Sequence, residues 1–166
     1  MILGMSTATY TFLHVVISLI AIGSGIFVMW DLLKGKSPNI LTSVFLITTA
    51  LTSISGFGFP FEHLLPSHKV GIISLAVLAI TIPARYVFHL SKSWRWVYVV
   101  GAALVLYFNV FVLVVQAFLK VPALKALAPT QTEAPFLAAQ VVVLLAFLAL
   151  TLIATVRFHP ERVRMA

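Results

Sequence analysis

Cysteine is absent from the chain, which removes disulfides, thiolate metal ligands and thiol nucleophiles from any account of it. Charge is nearly as scarce: only 9% of the 166 residues are Asp, Glu, Lys or Arg, and four of them are acidic. A soluble domain carries about 25% charged residues, and so few could not cover a surface facing water. No carboxylates are paired within the apolar stretches, which disfavours a carboxylate relay for ion pumping. The sequence contains no Walker A motif, no His-Glu-x-x-His, no Gly-x-Ser-x-Gly and no Gly-x-Gly-x-x-Gly. Nucleotide enzymes and the common hydrolases are thereby disfavoured, and the reading leans away from an enzyme.

What the chain does have is apolar surface: 61% of it is hydrophobic and its mean hydropathy is +1.12. Apolar runs cover 10–33, 40–59, 70–90, 95–119 and 135–158, each near the roughly 20 residues a membrane-crossing helix needs. Backbone groups in hydrocarbon must be satisfied internally, and these runs lack the strict alternation of barrel strands. The expected fold is all-α, a polytopic transmembrane bundle of about five spans forming one domain over residues 1–166. MILGMSTATYTF has no positive n-region, and its apolar stretch is too long for a signal peptide, so it is expected to remain as the first span. Lys34-Gly-Lys-Ser-Pro38 reads as a short turn between helices, and 120–134 as the longest connection. Pro83 should kink the third span by removing a bond to Ala79.

Basic residues sit at the ends of the runs rather than on one face, so the net charge of +7 is a topology signal and not a nucleic-acid surface. One side collects Lys34, Lys36, Arg85, Lys92, Arg95, Arg157, Arg162 and Arg164, the other Lys69, Lys120 and Lys125. The bias places the N-terminus outside and the C-terminus in the cytoplasm, in a bacterial inner membrane. Trp30, Trp94, Trp96 and Tyr98 then fall near the inner interface and Tyr10 near the outer. Expected partners are membrane lipid and either a quinone or a larger membrane complex, with self-association left open. A lipid-facing helix surface and a subunit-facing one are both apolar.

Polar side chains inside a bilayer are costly and need a partner, a cavity or a task. His14 lies about one turn into the first span, on a stripe with Ser18, Ala21 and Gly25 that has the small-residue character of a packing face. Glu62, His63 and His68 fall in the outer loop, and Gln116 and Gln140 near the outer ends of the fourth and fifth spans. Asn109 shares a face with Gln116 closer to mid-membrane, and Thr48, Thr52 and Ser55 share a face of the second. Gly56, Gly58 and Pro60 should end or unwind that span beside these groups. One reading is a site of His14, Glu62, His63 and His68 for a transition metal, haem b or protons. A second is that His14 ties helices through Gln116 or Gln140 in a non-catalytic accessory subunit or assembly factor. A third is a small-solute or proton-linked transporter lined by Asn109, Gln116 and the Thr48/Thr52/Ser55 face. Arg85, His89 and His159 read as interfacial residues.

Ser67-His-Lys-Val-Gly-Ile-Ile-Ser-Leu75 opening a span, after a first span with His14 near its start, resembles the corresponding part of small bacterial membrane cytochromes b. The resemblance covers roughly the first half of the chain. It implies a helical bundle holding haem b and passing electrons between quinone and a redox partner, with His14 and His68 as axial ligands. The fourth and fifth runs carry no histidine where that family places further ligands, so one haem at most is implied.

Overall fold

The computed structural model describes residues 2, 4–36, 38–60 and 66–159. Six helices occur among them: α1 (Thr7–Leu33), α2 (Ile40–Gly56), α3 (Pro66–Tyr86), α4 (Trp94–Lys120), the short α5 (Pro122–Leu127) and α6 (Ala134–Arg157). Four of these, α1, α3, α4 and α6, are long and apolar enough to cross a membrane. At 17 residues, α2 would reach about 26 Å at 1.5 Å per residue, slightly less than the roughly 30 Å hydrocarbon core.

Local chemistry sets the helix ends. The Ser6 hydroxyl accepts from Thr9 N at 3.1 Å and Asn39 Oδ1 from Leu41 N at 2.9 Å, each satisfying one of the orphan amides of a helix start. Pro66 opens α3, and Pro122 and Pro135 lie in the first turns of α5 and α6, where the missing N–H costs nothing. After α1 the chain reverses through Gly35 (φ 69°). Lys36 then reaches back to Asp31 at 3.7 Å, and Asn39 Nδ2 donates to the same carboxylate at 3.0 Å. The expected short turn is therefore present and tied. The expected third span, 70–90, instead begins at Pro66 and stops at Tyr86, three residues past Pro83. Leu90 then turns inward, and its N–H donates to Ala84 O. The 120–134 connection contains α5.

Helices α1, α2, α3 and α4 form a ring in chain order that closes between α4 and α1, and α6 lies outside it against α4 and α1. The buried apolar cluster draws on Val28 and Leu32 of α1, Phe45 and Leu46 of α2, Leu78 of α3 and Tyr98 to Leu106 of α4. Ala154 and Phe158 also belong to it. It extends from the middle of the bundle toward the Lys34 end. The opposite, His14 end is more loosely packed and more polar.

At that end Glu133 ties together the turn that precedes α6. Its carboxylate accepts from Thr130 N, Thr130 Oγ1 and Thr132 N at 2.8–3.1 Å. Desolvation pushes the carboxyl up, but the hydrogen bonds from the Thr130 side chain and from the backbone of Thr130, Glu133 and Thr132 outweigh it and hold it below the ordinary glutamate range. A depressed carboxyl means that the folded turn binds fewer protons than the unfolded chain. Its contribution is complete above the unfolded pKa and is lost as pH falls through the folded one. Amide exchange at Thr130 and Thr132 is expected to accelerate as pH drops through the acid range, after correction for intrinsic rates, and Glu133→Gln should remove that dependence. A flat profile in the parent protein would disprove the carboxylate's role in that turn.

Candidate functional site at the His14 end

The last turn of α2 organises this end. Ser55 receives two ties from α1: Tyr10 OH donates to its carbonyl at 2.7 Å, and His14 Nδ1 lies 2.7 Å from its hydroxyl. The Ser55 hydroxyl is also 3.2 Å from Thr52 O. When its proton goes there, His14 is the donor from Nδ1, the tautomer that leaves Nε2 as an acceptor. Phe59 meets both Tyr10 and His14 edge-on, with centroids 5.1 and 5.2 Å apart. A Cβ at Gly58 would run into the Tyr10 hydroxyl, so the close approach of α1 to this turn depends on glycine there.

On the α3 side Phe57 stacks on His68 at 5.4 Å and 26° and also covers Gly71. His68 is buried. His14 and His68 are thus brought to the same end of the bundle, each against a different phenylalanine of the turn that follows α2. Glu62 and His63 lie outside the described residues. Among the described residues, no group of three or more His, Cys, Asp or Glu is arranged to hold a metal ion.

The axial pair implied by the cytochrome resemblance needs both imidazoles to turn a nitrogen toward one flat macrocycle. Phe57 lies across the face of the His68 ring and Phe59 meets the His14 ring at right angles, contacts that leave the in-plane nitrogens, through which imidazole binds iron, uncovered by either phenylalanine.

The remaining polar groups are mostly spent on ties. Asn109 is buried and donates to Thr49 Oγ1 at 3.2 Å, Ser53 donates to Ser74 at 3.2 Å, and Gln140 Nε2 donates to Phe111 O at 3.2 Å. Thr48 bonds back to Val44 O within its own helix. Gln116 is exposed and does not join Asn109. His14 therefore ties helices, as one expectation held, but through Ser55 rather than Gln116 or Gln140. Tyr10, Phe57, Phe59 and Thr49 were not singled out for this role in the sequence, although Ser-Gly-Phe-Gly-Phe-Pro marked the turn that presents three of the groups involved.

Interhelical hydrogen bonds in membranes contribute about 0.6 kcal/mol on average. A double-mutant cycle with His14→Ala and Ser55→Ala, followed by reversible denaturation in mixed micelles, is expected to return a coupling of about that size. Strict additivity would break the assignment.

The fold and this site define a class: an all-helical membrane protein with a polar, aromatic knot at one end of the bundle. The chain matches no protein-family model, no curated protein and no solved structure.

Proposed function

We propose that the chain is a non-catalytic subunit, or an assembly factor, of a larger membrane complex, and that it works by helix packing. The observation that carries this reading is α6. Only 11% of its most apolar window is buried, against 33–39% for the other three long helices. Its exposed face presents Val141, Leu145, Leu148 and Leu152 at the four-three-four spacing at which helices pack against one another. The ties from Asn109 to Thr49, Ser53 to Ser74 and Gln140 to Phe111 support the same reading, since each joins one helix to another. In this proposal the bundle has five spans, α2 being the shortest, and sits in a bacterial inner membrane. Its His14 end faces outward and its basic Lys34 end faces the cytoplasm, as the distribution of Lys and Arg favours.

Native electrophoresis of digitonin-solubilised membranes tests it. The chain, 18.2 kDa by itself, is expected in a discrete larger complex, and the triple variant Leu145→Ala, Leu148→Ala, Leu152→Ala is expected to release it with its helix content intact. A parent protein that migrates alone and catalyses turnover or solute flux unaided in proteoliposomes would refute the proposal.

A second reading, a transition-metal or redox centre at the His14 end, is favoured by one feature. Ser55 holds His14 Nδ1 in the way outer groups orient metal-bound imidazoles. The measurement that closes the Discussion separates it from the first.

A further inference from the structure

Where α6 leans against α1 and α4 it leaves a groove of about 490 Å³, and every residue lining it is apolar or aromatic. Phe27, Trp30 and Leu33 form the α1 wall and Phe147 and Leu150 the α6 wall, while Leu106 of α4, itself buried, lies behind them. Phe27 and Trp30 are exposed on a helix long and apolar enough to cross a membrane, so the groove opens toward lipid.

Each wall continues into a cation. On α1, Phe27, Trp30 and Lys34 follow one another at i, i+3 and i+7 on one stripe, and Lys34 Nζ stands 4.5 Å from the centre of the Trp30 ring. On α6, Arg157 lies on the stripe of Phe147 and Leu150, and its backbone abuts the residue after Lys34: a Cβ at Gly35 would lie 3.2 Å from Arg157 O. Lys34 and Arg157 therefore flank the same mouth, and both are exposed. Among the described residues neither has a carboxylate partner, because Asp31 is bound by Lys36 and Asn39 and Glu133 is at the other end.

Depth identifies the occupant. Arg157 lies ten residues beyond Phe147, about 15 Å at 1.5 Å per residue, which is half of the roughly 30 Å hydrocarbon core. A groove that starts at the interface and stops at mid-membrane matches an acyl chain of one leaflet, whereas a partner helix would need a seam along the whole span.

We propose that the α1/α6 groove holds an acyl chain of an anionic phospholipid whose phosphate is bound between Lys34 and Arg157. Basic pockets between membrane helices bind such head groups, and here the Trp30 ring keeps the Lys34 ammonium at the mouth. The site does not depend on what packs against the outer face of α6, since Val141, Leu145, Leu148 and Leu152 lie on the opposite side of that helix from Leu150.

Fluorescence quenching in proteoliposomes tests this. Trp94→Phe with Trp96→Phe leaves Trp30 as the only tryptophan of the full chain. In phosphatidylcholine bilayers, phosphatidylglycerol with brominated acyl chains is expected to quench Trp30 at a mole fraction about 25-fold below that needed by brominated phosphatidylcholine, about fivefold for each cation. Lys34→Gln or Arg157→Gln should each reduce this preference to about fivefold, and the two together should abolish it. Lys92→Gln removes an exposed cation of the α3–α4 loop at the same end and should leave the preference unchanged. Native mass spectrometry of the parent chain with the two lipids gives the same ranking without the tryptophan changes. Equal quenching by the two lipids, or an undiminished preference in the Lys34→Gln, Arg157→Gln variant, would overturn the site. So would a Trp30 shielded from both lipids, the sign of a second copy of the chain filling the groove, or loss of the preference in millimolar inorganic phosphate, the sign of a site for free anions.

Discussion

Gly25→Leu is expected to destabilise the bundle by about 3 kcal/mol, the upper part of the range for overpacked cores. A single Cβ at this position would lie 2.6 Å from Leu106 Cδ1 and 2.7 Å from Phe45 Cε2, and leucine adds three more carbons in the same direction. Gly25 is where α1, α2 and α4 meet, so there is no lipid-facing side into which the new side chain could escape. Neither neighbour has room to turn away: Phe45 is fully buried and Leu106 nearly so. Unfolding in mixed micelles or by steric trapping measures the loss, and a change below about 1 kcal/mol would show that the helices separate easily at this crossing.

The second large effect is expected at Phe45 itself. In water-soluble cores Phe→Ala costs about 3–5 kcal/mol, of which the cavity accounts for about 24 cal/mol per Å³. A membrane helix that separates from its neighbours still lies in hydrocarbon, so the transfer part is largely missing and packing remains. Phe45→Ala should therefore cost about 2–3 kcal/mol by the cavity term. Because the Phe45 ring occupies the space a side chain at Gly25 would enter, the two changes should not add. The double variant Gly25→Leu, Phe45→Ala is expected to be at least about 1 kcal/mol more stable than the sum of the single losses. Additive losses would mean that the two sites do not share a cavity.

The sequence was a good guide to what depends on periodicity. His14, Ser18, Ala21 and Gly25 lie on one helical stripe, and Ala21 and Gly25 are indeed deeply buried. The Gly56–Gly58–Pro60 stretch ends α2 beside the polar groups, because a helix cannot continue through it. Depth was legible too, since chain order and span length put His14, His68 and Gln140 at one end.

Azimuth was not. Which helix stands beside α1 is decided by how the ring closes, and a single apolar pattern carries no record of that, so the partner of His14 is Ser55 on the neighbouring α2. Gln116 shows the same limit in another form. It shares a stripe with Asn109, but the tight core lies toward the Lys34 end, so the face that buries Asn109 is uncovered two turns later.

At the centre of this account is the claim that the histidines of the His14 end hold helices together rather than a redox cofactor. A reduced-minus-oxidised absorption spectrum of the detergent-purified protein, produced with haem supplied and paired with elemental analysis for iron, copper and zinc, tests it most directly. The expected result is a spectrum without haem bands and no stoichiometric metal, with His14→Ala lowering stability but changing nothing in the visible range. Haem bands or bound metal present in the parent protein and lost in His14→Ala or His68→Ala would contradict the claim and make the His14 end a cofactor site.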